Sequence, residues 1–134
     1  MILWTTPKTD WTASSYFNAV DYNRIKNNLI VLSDLVNAVY PALSIADMGS
    51  DKTVSDFMYA DEFNLFETNL ETMKNWIVDL GIGRSTLYSE NAPMPNYTEL
   101  NRIESAMLKM HDNLIGQING RPTLAFTLNG GVFE

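Results

Sequence analysis

A chain of 134 residues, 46% hydrophobic and 11% aromatic, is long enough for one domain with its own core and too apolar to stay disordered. Sixteen acids against nine basic residues give a net charge of −7, and no cluster of Lys and Arg interrupts that field, which argues against nucleic acid as a partner. With no cysteine, disulfides, thiolate metal sites and thiol catalysis are excluded together. No stretch approaches the ~18 apolar residues of a membrane span, and the first residues lack a signal peptide's basic and apolar regions, so no membrane partner is expected and synthesis in the cytoplasm is.

The chain opens on Ile2-Leu3-Trp4, a candidate short β segment at about 2–5. Trp4 and Trp11 stand in a Thr-rich, Pro-containing stretch, either as lids on a helical core or as anchors in an interface. The first helix is predicted at about 19–39. Tyr22, Ile25, Leu29 and Leu32 step by 3, 4 and 3, one apolar face, and Val36 and Val39 continue it. Asn18 reads as its N-cap and Asp21 as the acid of its first turn, with Phe17 and Tyr22 spaced as a hydrophobic staple. Residues 45–53 are loop by composition.

The second helix, about 60–80, carries Phe63, Phe66, Leu70 and Met73 at the same spacing, continued by Ile77 and Leu80. Its acid is Glu62, but Tyr59 occupies the cap position, and Ser55 or Asp56 is the expected cap instead. Gly81 and Gly83 suit its C-terminal end. Two prolines, Pro93 and Pro95, exclude regular helix just before the third. A connection as long as 84–95 must cross the bundle or serve a contact. The third helix, about 97–115, shows Leu100, Ile103, Met107, Met110 and Leu114, with Asn96 as N-cap and Glu99 in the first turn. Beyond it Leu124, Phe126 and Leu128 alternate ahead of Asn129-Gly130, a hairpin signal, giving an expected β segment at about 123–133. Its partner is either the 2–5 segment or a strand of a neighbouring subunit.

An asparagine recurs one place after the first stripe residue: Asn23, then Asn64 after 41 residues, then Asn101 after 37 more. Arg24 and Arg102 follow two of them, and Leu65 stands in the middle copy. At 100° per residue Asn23 points well away from its own stripe, so core packing does not account for it. The match of Asp21-Tyr22-Asn23-Arg24-Ile25 to Glu99-Leu100-Asn101-Arg102-Ile103 favours an internal duplication. The sequence thus predicts a single mainly α domain over 1–134, a bundle of three main helices with an internal helix repeat and a short terminal β element.

The sequence offers little that could carry chemistry. His111 is the sole histidine, beside Asp112 and not a helical turn from it, and reads as a surface or half-buried side chain. There is no HExxH, phosphate loop or calcium loop, and Gly81-Ile82-Gly83-Arg84 is a helix cap, not a nucleotide cradle. No catalytic residue, cofactor site or metal site is expected, and the chain is read as a non-enzyme.

The runs Thr9-Asp10-Trp11-Thr12 and Tyr16-Phe17-Asn18-Ala19-Val20-Asp21-Tyr22-Asn23-Arg24-Ile25 resemble a segment of small structural proteins of phages and prophages of Gram-positive bacteria. Pro95-Asn96-Tyr97-Thr98-Glu99-Leu100-Asn101-Arg102-Ile103-Glu104 resembles a second motif of the same proteins, and the glycine-containing end from Leu124 to Phe133 is similar too. The resemblance covers roughly residues 9–32 and 93–110 and departs in the middle third. It implies a virion part, in a tail, baseplate or adsorption apparatus, forming a homo-oligomer and binding other virion proteins. Trp4, Trp11, Asn23, Arg24, Asn101, Arg102, Leu124, Phe126 and Leu128 are the expected contact residues. The alternative is a phage-encoded inhibitor that binds a host protein through an acidic helical surface.

Overall fold

The computed structural model describes residues 3–40, 43–75 and 95–129, with side chains as far as residue 119. It contains three helices: α1 (Ala19–Val39), α2 (Ala60–Lys74) and α3 (Tyr97–Asn129). The apolar stripes read from the sequence form the core. Tyr22, Ile25, Leu29, Leu32, Val36 and Val39 are buried, as are Phe63, Phe66, Leu70 and Met73, and as are Leu100, Ile103, Met107, Met110 and Leu114. Each fully buried Leu, Ile, Phe or Met contributes about 1.5–3 kcal/mol relative to an exposed one, so the three seams supply the main driving force.

The helices run parallel. Tyr22 near the start of α1 meets Phe63 and Phe66 near the start of α2, with ring centroids 6.1 and 4.9 Å apart. Arg24 of α1 reaches Glu104 of α3, again start to start. At the other end the Tyr40 hydroxyl, just past α1, donates to Gln117 of α3 over 3.3 Å. Parallel neighbours cannot be joined by tight turns. A 21-residue helix is roughly 30 Å long, so the chain must travel back along the bundle before the next helix starts. The stretch between α1 and α2 does this, and residues 3–18 ahead of α1 lie along the bundle in the same manner. We call these two stretches crossovers.

The helix starts follow one scheme. The Asp21 carboxylate accepts the Asn18 N–H at 2.9 Å, and Glu62 accepts the Tyr59 N–H at 2.8 Å. At α3 the Asn96 side chain accepts the Glu99 N–H at 3.0 Å. Acids in the first turns also offset three aligned helix dipoles at one end of the bundle. Tyr59 is therefore the N-cap of α2, not Ser55 or Asp56. Asp56 is committed one turn earlier, where it accepts the Thr53 N–H at 2.7 Å.

Two expectations need amendment, and two fall wholly or partly outside the described residues. No strand occurs among the described residues, and at 3–5 the expected β segment is absent because a helix side chain, Asn28, takes the place of a pairing strand at Thr5. The third helix does not stop near 115. Leu114 is buried and Ile118 packs on the core, so the stripe goes on to Ile118 and the helix, in backbone, to Asn129. The second helix is described to Lys74, and Trp76, Ile77 and Leu80 lie outside the described residues. Of the hairpin expected at 123–133, residues 123–129 belong in backbone to α3, and 130–134 lie outside the described residues.

Candidate binding face and the polar seam beneath it

An extended segment that has left the helices still carries a backbone donor and acceptor at each residue, and those turned inward need partners. Here asparagine provides them. The Asn28 amide accepts the Thr5 N–H (2.9 Å) and donates to the Thr5 carbonyl (2.7 Å). Asn101 does the same to Trp11 (2.8 and 3.0 Å), Asn23 to Lys52 (2.7 and 2.9 Å) and Asn69 to Ala46 (2.8 and 3.0 Å). A primary amide presents C=O and N–H₂ side by side, the same pair a neighbouring strand would offer, and Asn delivers it with little side-chain freedom to lose.

These clamps expose a longer repeat than the helices alone suggested. Asn64 and Asn69 follow Asn23 and Asn28 by 41 residues, and so do the clamped positions Ala46 and Lys52 after Thr5 and Trp11. The turns ahead of the helices match as well. Ser15 Oγ accepts the Thr12 N–H at 3.0 Å, as Asp56 accepts that of Thr53. The repeating unit is a crossover, a turn and a helix. On α1, Asn23 and Lys26 lie on the flank facing the second crossover, while Arg24 and Asn28 lie on the opposite flank toward α3 and the first crossover.

Between the clamps lies a buried ionic seam. Glu104 is fully buried, and its two oxygens accept four donors: the Lys8 N–H (3.0 Å), the Trp11 indole N–H (2.6 Å), and Arg24 Nε (2.9 Å) and Nη2 (2.6 Å). Arg24 Nη1 also donates to Asp21 at 2.8 Å. One step round the bundle, Arg102 pairs with buried Glu67 and, at 2.9 Å, with Glu99. Burial works against both guanidinium charges, but the hydrogen bonds from their carboxylates outweigh it and leave both groups above the ordinary arginine value. At the repeat position of Glu104, α1 carries Lys26, whose Nζ donates to the Gly49 carbonyl (3.2 Å) and to Asp51 (2.5 Å). Gly49 sits at φ 80°, a left-handed turn that favours glycine, with its N–H held by Asp47.

Asn23, Arg24, Asn101 and Arg102, expected as an outward contact face, therefore direct the bonds described above into their own chain. Trp11 is buried, and Trp4 stacks on His111 with centroids 4.0 Å apart and planes 6° from parallel, so both tryptophans act as lids. His111 is half-buried beneath that ring, its Nδ1 3.5 Å from Asp112. Leu124, Phe126 and Leu128 lie outside the described residues. Asn28, Asn69, Lys26, Glu67 and Glu104 were not singled out from the sequence, although the shared 41-residue offset was there to find the first two. Among the described residues no group of three His, Cys, Asp or Glu is placed to hold a metal ion, and no helix is long and apolar enough to cross a membrane.

Apart from Leu3, the exposed large apolar side chains among the described residues gather at one end. Tyr16, Val20, Val54, Phe57, Tyr59 and Tyr97 are exposed, and each lies within five residues of a helix N-cap, at the end where the three helices begin. Tyr16 and Phe57 occupy the same repeat position. Two clefts flank Phe17, one of about 340 Å³ between the 11–17 turn and the start of α3, the other of about 360 Å³ between the 53–58 turn and the start of α1. They are repeat equivalents. Beneath them Trp11, Phe17, Phe63, Tyr22 and Phe66 form a continuous run of ring contacts, with centroids 4.9–6.1 Å apart, that makes the floor rigid. Burial pushes the Tyr22 phenol well above its ordinary pKa, so it stays neutral. No protein-family model, curated protein or solved structure matches the chain.

Proposed function

We propose that the chain is a non-catalytic structural protein of a phage virion, a component of a tail, baseplate or adsorption apparatus that works by binding neighbouring virion proteins. The virion placement rests on the resemblance of residues 9–32 and 93–110 to such proteins. The binding role rests on one observation of geometry: the buried acid in the seam, Glu104, has both oxygens filled by donors of its own chain, which makes it a hub for shape and not a group poised for a substrate. A shape held that firmly suits a part that presents fixed surfaces.

Mass spectrometry of purified particles from a producing strain tests the placement. The chain is expected at a constant, stoichiometric copy number per particle. Recovery as a free monomer bound to a host factor, with none in the particles, would replace this reading with that of a host-directed inhibitor.

A further inference from the structure

We propose that the end face carrying Tyr16, Val54 and Phe57 is the docking surface for a different protein, one that offers apolar side chains flanked by Lys or Arg, and not for a second copy of this chain. This rests on the reading of the chain as a binding protein, but not on its place in a virion.

The apolar half of the argument is exposure. Val54 is 99% exposed, Tyr16 85% and Phe57 75%, on turns whose backbones are pinned by the Ser15 and Asp56 bonds. Large apolar side chains gathered at one end of a small domain, over a rigid aromatic floor and beside two matching clefts, mark a contact surface. Because the clefts repeat, a partner can engage the same chemistry twice.

The charge half selects the partner. Among the described residues every Lys and Arg except Lys109 is already ion-paired with an acid of this chain. Lys109 lies well along α3, away from this end. The cleft between the 53–58 turn and α1 is lined by Asp56, and Asp61 is exposed in the first turn of α2 next to it. Among the described residues the charge left over at the face is negative, on a chain of net −7. Two copies brought together here would oppose like charges while desolvating them, whereas a basic rim neutralises them.

The test titrates two synthetic amphipathic peptides of equal length, one of Leu, Phe and Lys and one of Leu, Phe and Glu, onto the full chain by calorimetry. The basic peptide is expected to bind at least about tenfold more tightly, and Tyr16→Ser with Phe57→Ser to weaken it by about tenfold or more, the size of one hot-spot loss. That variant leaves the net charge unchanged, so mere attraction of a basic peptide to an acidic protein would not respond to it. Leu3→Ser, at an exposed apolar residue on the first crossover far from the α1 start, is expected to change nothing. Should the double variant lose its helical signal, Val54→Ser alone serves in its place. Equal binding of the two peptides, or binding indifferent to the face variants, overturns the proposal. So does a dimer in sedimentation that these variants dissolve, since the face would then join copies. Particle composition is read separately, so either result can fail alone.

Discussion

Glu104 on α3 and Lys26 on α1 hold the same repeat position, carry opposite charge and reach the same point of a crossover. Glu104 accepts the N–H of Lys8, and Lys26 donates to the carbonyl of Gly49, its repeat equivalent. The scaffold thus requires a polar tip there, and the sign follows from which backbone group the crossover turns inward and from what stands nearby. Beside Glu104 stands Arg24, and beside Lys26 stands Asp51. The same contrast accounts for Leu65. Arg24 faces the acid of α3 and Arg102 the acid of α2; carried on by the repeat, position 65 of α2 would face Lys26 of α1, where an arginine would meet a like charge.

Breaking the acid hub should have the largest effect. Glu104→Ala leaves two of the Arg24 donors, the Trp11 indole N–H and the Lys8 N–H without their acceptor, and removal of one partner of a buried ion pair costs about 3–5 kcal/mol. Urea unfolding would register it as a lower midpoint at unchanged slope. Lys26→Met, by contrast, keeps the apolar stem and frees an exposed acid and the carbonyl of exposed Gly49, so its cost should stay at about 1 kcal/mol. A loss as large as that of Glu104→Ala would mean that the two hubs are not different in kind.

The account of Leu65 is sharpened by a double-mutant cycle. Leu65→Arg and Lys26→Glu should each destabilise, and together they should cost less than their sum by about 1 kcal/mol, within the range seen for residues that touch. Strict additivity would remove the explanation offered for the middle copy.

Acid should produce the smallest effect. Lys26 holds the Asp51 carboxyl below its ordinary value, and the Thr53 N–H does the same for Asp56. For an acid depressed in the folded state, the stabilisation is complete above the unfolded pKa of about 4 and is lost as pH falls through the folded value. Unfolding midpoints should therefore be level near neutrality and fall below about pH 4, and Asp51→Asn should make that fall shallower. Both groups are exposed, so the slope should be gentle.

The stripes were legible because an apolar period of 3, 4 and 3 has one simple solution, and every stripe residue within the described range is buried as that solution requires. The helix starts were legible from Asn18, Asn96 and their acids. The task of Asn23 and Asn101 was not. Their partners are the backbones of Lys52 and Trp11, 29 and 90 residues away, and a backbone amide leaves no mark on the identity of the residue that carries it. Polar side chains off the stripe read as surface until the path of the crossovers is known. That path follows from the parallel order of the helices, for which the length of the connections was the available signal. The apolar end face went unread for a related reason: the turns of Tyr16 and Phe57 come to one end only because the helices run parallel.

Amide hydrogen exchange at Thr5, Trp11, Ala46 and Lys52 tests the clamp account most directly. Slow exchange is predicted at all four although none lies in a helix or strand, and Asn101→Ala is predicted to release Trp11 while Asn23 still protects Lys52. Exchange at the rate of an open loop at these amides in the unaltered chain, or protection at Trp11 that survives Asn101→Ala, would contradict it.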